Sequence, residues 1–275
     1  MTLHAPPRVK RRIEGANRVY LFLDYDGTLA DFAPTPEHVN PEPEVVTLVT
    51  ELAEHPALRV AVISGRRLSH IEELVPVEEI LLAGTYGVEL RLPSGRHVDR
   101  VAYDEIRPVL GQIKPRWAQL IAGRDGFFLE DKGWALAIHG KFAAEDEAEK
   151  VLEEARGIAT AVAWDGTHSD LFRILGGHKF LEIGPALAHK GKTVDYLLEW
   201  YAWPDALPLY VGDDDKDEEA FGVIHAHDGL AIKVSEQPCK TDADARLPSP
   251  PAVRRWLATL PKRFGDTEIS TVDQR

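Results

Sequence analysis

Short, continuously apolar runs recur along the chain, and four of them stop at a small or acidic residue. Residues 19–23 run into Asp24, 59–63 into Ser64-Gly65-Arg66, 79–83 into Gly84, and 207–211 into Gly212-Asp213-Asp214; residues 230–234 form a fifth run. Continuous apolar character, rather than alternation, suits parallel strands covered on both faces. Between them the period lengthens. Residues 43–55 carry Val45, Val46, Leu48, Val49 and Leu52 at helical spacing, residues 67–74 and 192–203 read likewise, and residues 251–260 supply a last helix with Val253, Trp256, Leu257 and Leu260. Strand and helix in alternation predict an open α/β sheet.

The middle of the chain breaks this rhythm. From about residue 103 to 184 the pattern predicts helix, two strands, helix and further strands. Residues 105–121 have helical composition but contain Pro108 and Pro115, which predicts a kinked or broken helix. Residues 126–130 and 134–139 read as strands joined at Asp131-Lys132-Gly133, and 144–158 as an acidic amphipathic helix. Residues 161–164, 171–175 and 180–183 read as the remaining strands, with Trp134 and Trp164 as core in preference to ligand-stacking surfaces. The organisation expected is therefore a discontinuous α/β domain, residues 16–102 and 185–264, interrupted by an inserted α+β domain at 103–184. Residues after Phe264 are polar and read as a frayed tail.

The charge balance narrows the partners. With 32 Lys and Arg against 45 Asp and Glu the net charge is −13, a field that repels nucleic acid and anionic membranes. No apolar run approaches the roughly 18 residues of a membrane span. Cys239 is the single cysteine, so no intrachain disulfide forms and a reducing, cytoplasmic setting is expected. An anionic substrate will need a local cation.

The ends of the apolar runs are where chemistry is expected, because open α/β sheets bind ligands at the carboxyl ends of their strands. Asp24 and Asp26 leave the first strand two residues apart, which puts both carboxylates on one side of an extended backbone. Gly27 permits a sharp turn and Thr28 offers a hydroxyl and an N–H. Ser64 ends the second run; alone it would read as a helix cap, and in company it reads as an oxyanion donor. After Val211, six of seven residues from Asp213 to Glu219 are acidic. Glu218 and Glu219 suit a helix N-terminus, whereas Asp213 and Asp214, at the strand end, suit a hard cation such as Mg²⁺. Asp217 reads as support behind them. Lys190, before Gly191 and a helix expected from about Lys192, reads as a surface residue or as an anion-binding ammonium. His225 and His227 lack a third ligand at metal spacing and read as loop or core.

Asp24-x-Asp26-Gly27-Thr28, Ser64-Gly65-Arg66, Lys190 and Gly212-Asp213-Asp214 resemble, in order, the four motifs of the haloacid dehalogenase superfamily of phosphatases. Within it the chain resembles the trehalose-6-phosphate phosphatases. The further residues are Gly84-Thr85-Tyr86-Gly87-Val88-Glu89, Leu129-Glu130-Asp131-Lys132 with His139, Leu181-Glu182-Ile183, and Thr241-Asp242-Ala243 with Val253 and Leu257 as closing strand and helix. The resemblance implies a Rossmann-like open parallel sheet core with an inserted α+β cap domain that closes over the sugar. It implies Asp24 as nucleophile, Asp26 as general acid and base, and Thr28, Ser64 and Lys190 as the groups that hold the phosphoryl oxygens. It further implies Mg²⁺ on Asp24, the Asp26 carbonyl, Asp213 and Asp214, with Arg66, Glu130, Lys132 and Glu182 binding substrate. The expected partner is a small-molecule sugar phosphate, acted on by a monomer with no fused synthase domain.

Where the family commonly has an aromatic residue and Arg after the cap histidine, this chain has Gly140 and Lys141. Gly184 replaces the usual Arg before Pro185, and Lys216 the usual Thr. Other sugar phosphates, among them glucosyl- or mannosyl-3-phosphoglycerate and sucrose 6-phosphate, are rival substrates. A non-catalytic sugar-phosphate sensor is a rival class, and intact Asp24, Asp26 and Asp213 count against it.

Overall fold

The computed structural model describes residues 3–31, 40–164 and 170–264; the polar tail after Phe264 lies outside the described residues. The chain divides into two compact units. The first comprises Met1–Gly84, Leu90–Val98 and His189–Arg275, and the second Thr85–Glu89 and Asp99–Ala188. The division thus starts the insert a few residues earlier than periodicity suggested, ends it a few later, and assigns it the separate segment Thr85–Glu89.

In chain order the elements are α1 (Pro7–Gly15), β1 (Val19–Leu23), α2 (Pro43–Glu54), β2 (Leu58–Ile63), α3 (Leu68–Leu74), β3 (Leu81–Gly84), β4 (Glu89–Arg91) and β5 (His97–Asp99). Then come α4 (Tyr103–Ile121), β6 (Phe128–Asp131), β7 (Leu136–His139), α5 (Glu145–Ala163), β8 (Phe172–Gly177) and β9 (Phe180–Pro185). The chain ends with α6 (Lys190–Trp200), β10 (Leu207–Gly212), α7 (Asp215–Ala226), β11 (Leu230–Val234), β12 (Ala245–Leu247), α8 (Pro250–Leu257) and α9 (Leu260–Phe264).

The large sheet has the order β12-β11-β10-β1-β2-β3-β4-β5, and the pairs from β12 to β3 are parallel. The five apolar runs are its central strands. Their apolar character, broken only by single residues such as Arg59 in β2 and Lys233 in β11, has a direct cause. Leu21, Leu23, Val60, Val62, Leu209 and Val211 pack into one core layer, while Tyr20, Phe22, Ala61, Ile63 and Tyr210 pack into the layer on the other face. Successive strand residues point to opposite faces, so a strand covered on both must be apolar at every position.

Close backbone approach marks the end of β3. A Cβ on Gly84 would lie 2.3 Å from the Leu68 nitrogen and 2.5 Å from its Cα, both main-chain atoms of α3. Gly84→Ala is therefore expected to cost at least about 1–3 kcal/mol by overpacking, read as a lower thermal midpoint. An unchanged midpoint would mean that α3 can move away.

The second unit is an antiparallel sheet, β6-β7-β9-β8, with α4 and α5 and a core containing Ile106, Leu110, Trp117, Ile138 and Ile183. Three expectations fail here. The helix expected to be kinked or broken at Pro108 and Pro115 is not broken: α4 runs through both, and both lie on its exposed face, where the carbonyls that lose an N–H partner can be hydrated. The strand expected at 161–164 is the last turn of α5. Ala155, Ala159 and Ala163 recur every four residues as its buried stripe, and Trp117 Nε1 donates to the Ala155 carbonyl at 2.9 Å. Trp134 is buried as expected, but Trp164 is 36% exposed.

Near the C-terminus the helix expected over 251–260 is two helices, α8 and α9. The closing strand starts at Ala245; Thr241 lies ahead of it and donates its hydroxyl to Glu218 at 2.6 Å. His225 and His227, expected in loop or core, lie in the last turn and at the C-cap of α7 as partly exposed partners of Asp244 and Asp195. Among the described residues no helix is long and apolar enough to cross a membrane.

Candidate active site

Parallel register brings the motif residues of the first unit together. Leu23 is level with Val211 on one side and Val62 on the other, so Asp24, Ser64 and the residues after Gly212 leave the sheet side by side. Asp24 N–H still donates to the Val211 carbonyl at 3.0 Å, which fixes where its side chain emerges. Beyond it the chain turns back at Gly27, with φ +76°, and Gly27 N–H donates to the Ala30 carbonyl at 2.7 Å. A side chain would strain that left-handed conformation.

Lys190 lies at the centre. It is the first residue of α6 rather than a residue ahead of the helix, and it is 2% exposed. Its ammonium donates to Asp24 Oδ1 at 2.8 Å and to Asp217 Oδ1 at 2.6 Å, with Asp214 Oδ1 at 3.9 Å. The surface reading of this lysine is thereby excluded. Burial alone would lower its pKa, but Asp217, Asp24, Tyr210 and Asp214 together hold it well above the ordinary lysine value.

The carboxylates outnumber that one buried ammonium. Burial raises the Asp24 pKa well above the usual range, against the pull of Lys190 and with Asp217, Asp213 and Asp214 adding to the rise. Burial, then Asp217 and Asp214, push Asp213 up to about 6 against the pull of Lys190 and a hydrogen bond with Asp24. Thr28 spans the two: its Oγ1 donates toward Asp24 Oδ2 at 3.2 Å and Asp213 Oδ1 at 3.4 Å.

Asp24, Asp213 and Asp217 each offer an oxygen within 4.8 Å of the others, the one such grouping among the described residues. Their all-oxygen chemistry and excess negative charge fit a hard divalent cation. Asp217, however, is fully engaged. Its Oδ1 accepts Lys190 and the Tyr210 hydroxyl at 2.7 Å, and its Oδ2 accepts the N–H groups of Asp213 at 3.0 Å and Asp214 at 2.9 Å. That leaves Asp24 and Asp213 as the side chains free to turn toward a cation. Asp214 departs from its expected place among the metal ligands. Its Oδ1 accepts the N–H groups of Lys216 and Asp217, capping α7, and Lys190 and Lys216 bring its pKa down to about 2 although burial opposes this. Lys216, where the resembled family has Thr, pairs with Asp214 Oδ2 at 3.2 Å.

Ser64 is 1% exposed and does not cap α3. Its Oγ accepts the Arg66 N–H at 3.1 Å, which leaves the hydroxyl proton to donate elsewhere. Arg66 forks onto Asp26, Nε to Oδ2 at 2.7 Å and Nη2 to Oδ1 at 2.6 Å. The residue expected to bind substrate is thus held by the residue expected to act as acid and base.

In the second unit, Lys132 Nζ donates to Glu182 Oε2 at 2.6 Å, and both residues are buried. Glu182 Oε1 is buried with no hydrogen-bond partner among the described residues. Lys132 also faces the Tyr86 ring at 5.9 Å, and Glu130 Oε2 meets His139 Nε2 at 2.9 Å. Lys132 and Glu130, two of the residues expected to bind substrate, thus hold Glu182 and His139 respectively. Sequence reasoning missed Tyr210 and His70; the only available signal for Tyr210 was a phenol in an otherwise aliphatic strand end.

A family model described as Trehalose-phosphatase matches residues 22–251. The chain belongs to the trehalose-phosphatase family. A probable trehalose-phosphate phosphatase 2 of Oryza sativa subsp. japonica is 31% identical over 268 residues, covering 88% of this chain and 68% of the relative. A trehalose-phosphate phosphatase of Mycobacterium avium is 34% identical over 208 residues, covering 74% of this chain and 51% of the relative. Among solved structures, the C-terminal domain of trehalose-6-phosphate phosphatase from C. albicans superposes with a TM-score of 0.79 at 19% identity, covering 95% of this chain and 99% of that one. This trehalose-phosphatase family member is accordingly a phosphatase built on the α/β sheet that its apolar runs predicted.

Proposed function

We propose that the chain hydrolyses trehalose 6-phosphate to trehalose and phosphate through an aspartyl phosphate on Asp24. The observation that carries this reading is Asp24 at the strand end, buried, touching the one ammonium that also serves Asp217. An Asp24 oxygen attacks phosphorus as the bond to the sugar oxygen breaks, and Asp26 delivers the proton that oxygen needs to leave. Asp26 then takes a proton from the water that hydrolyses the acyl phosphate. Thr28 and Ser64 donate hydroxyl protons to phosphoryl oxygens, and Lys190 offsets the charge that nucleophile and phosphate bring together. Asp24, Asp213 and the Asp26 main-chain carbonyl would hold a Mg²⁺, which would supply further charge screening between two anions. The same reading has a monomer working in the cytoplasm, where exposed Cys239 stays reduced.

For the sugar we propose Glu130 and Lys132 as hydroxyl partners, with Glu182 acting through the Lys132 ammonium that it grips. Glu130→Ala is then expected to raise KM for trehalose 6-phosphate by about tenfold or more, the value of roughly 1.4 kcal/mol of lost binding, while leaving KM for p-nitrophenyl phosphate nearly unchanged. Equal effects on both esters would reduce Glu130 to a structural partner of His139.

The deciding assay is phosphate release from trehalose 6-phosphate, sucrose 6-phosphate and glucosyl- and mannosyl-3-phosphoglycerate, with Mg²⁺ and after chelation. Turnover should be highest on trehalose 6-phosphate, vanish with chelator and return when Mg²⁺ is restored. A better rate on another ester would keep the chemistry and change the sugar. Full activity in chelator would remove the cation.

A further inference from the structure

Arg66 has a geometry that suits a partner inside the protein better than one outside it. Its side chain is 10% exposed, and its guanidinium plane meets both oxygens of Asp26 at 2.6 and 2.7 Å. Two parallel contacts of this kind define an orientation as well as a distance, which a point charge on a lysine stem would not do. Arg66 is itself held from two directions. Its main-chain N–H is pinned by Ser64 Oγ at 3.1 Å, and its Nη1 lies 3.3 Å from His70 Nδ1, one turn into α3. Burial and the adjacent guanidinium lower the His70 pKa, so the imidazole meets Arg66 as a neutral acceptor when its proton is on Nε2.

We propose that Arg66 is the positioning residue for Asp26, holding the carboxylate side chain in the one rotamer from which it serves the phosphoryl group, and that His70 braces Arg66 in turn. This rests on the reading of Asp26 as the acid and base. Asp26 is 25% exposed and sits just past the end of β1, on the turn that Gly27 makes. Among the described residues, the fork is the hydrogen bonding that fixes its side-chain rotamer. The arrangement also ties two motifs: Ser64, which is to donate to the phosphate, fixes through one N–H the arginine that aims the proton carrier. A substrate-binding role for Arg66 would instead spend its charge on the phosphate and leave Asp26 unanchored.

The two roles separate in kinetics. An aryl leaving group such as p-nitrophenolate departs without a proton, so phosphorylation of Asp24 by p-nitrophenyl phosphate does not need Asp26, whereas departure of a sugar alkoxide and the later attack of water both do. For Arg66→Ala, kcat on trehalose 6-phosphate is expected to fall by about 10²–10³, within the usual range for acid–base catalysis, with KM changed less than about threefold. The pre-steady-state burst of p-nitrophenolate should keep a rate within about threefold of wild type while the following steady state slows with kcat. Arg66→Lys, which preserves charge but not the fork, should recover less than about a tenth of the lost kcat. His70→Ala should show the same pattern at a smaller amplitude, and far-ultraviolet circular dichroism should report all three variants as folded. A tenfold rise in KM at unchanged kcat would overturn the proposal in favour of substrate binding. A burst slowed as much as sugar-phosphate turnover would overturn it in favour of a general structural role. Wild-type turnover in Asp26→Asn would instead remove the underlying reading of Asp26, whatever Arg66 does.

Discussion

Asp24→Asn is expected to retain no more than about 10⁻⁴ of wild-type turnover, the scale on which loss of a covalent nucleophile acts, and yet to unfold at a midpoint no lower than the wild type. The first half follows from position: Asp24 is the carboxylate held at the strand end against Lys190 and Thr28. The second follows from charge. Asp24 is buried with Asp217, Asp213 and Asp214 around one buried ammonium, and burial with that crowding is what raises its pKa. An amide keeps the shape, still accepts from Lys190 through its carbonyl oxygen, and removes one of the mutually repelling groups. Acid quench of the wild type turning over labelled substrate should trap phosphate on the protein, and the variant should trap none. Substantial turnover in Asp24→Asn would sink the covalent route; a midpoint well below wild type would mean that the carboxylate is structural.

Lys190→Met carries the opposite expectation for stability. Methionine preserves an unbranched stem but leaves Asp24 and Asp217 facing each other without their shared cation, at 2.8 and 2.6 Å from where it stood. Breaking a buried ion pair by removing one partner costs about 3–5 kcal/mol, which for a chain of this size lowers the midpoint by roughly 6–20 °C. Turnover should be lost as well, because the same ammonium is assigned to the phosphoryl charge. The two substitutions should not be additive. Asp24→Asn in the Lys190→Met background removes one of the stranded carboxylates and should restore part of the midpoint, since groups in one charge network couple. Four midpoints, from wild type, both single variants and the double variant, measure that coupling. Strict additivity would mean that Lys190 and Asp24 do not interact in the folded protein.

Much of the architecture was legible because the information is local. An apolar run covered on both faces is apolar throughout, as in Val19–Leu23, which is a strand with the limits that the pattern implies; Leu230–Val234 keeps its limits too, with Lys233 the one charged residue in it. The chemistry at the ends of those runs was legible for the same reason: Asp24, Asp26, Thr28, Ser64 and Asp213 stand where polar residues interrupt otherwise apolar segments. Prolines misled because their effect depends on which face they occupy. Pro108 and Pro115 would break a helix buried all round, and are tolerated on the watered side of α4. Alanines misled in the opposite sense. Ala163, read as part of a strand at 161–164, belongs with Ala155 and Ala159 to the buried seam of α5.

The amino-acid sequence by itself determined which residues carry charge and hydroxyls at the strand ends, and so the class of chemistry. Which of those groups face one another was decided only by tertiary structure, because the partners are far apart along the chain and meet through the parallel register of β10, β1 and β2. Folding assigns Asp214 to capping a helix, gives Asp217 to Lys190 and Tyr210, and turns Arg66 toward Asp26. It also withdraws Lys132 and Glu182 together from solvent. A carboxylate reads the same in any sequence; its ligand, its pKa and its role follow from burial and from the hydrogen-bond donors that the fold places around it.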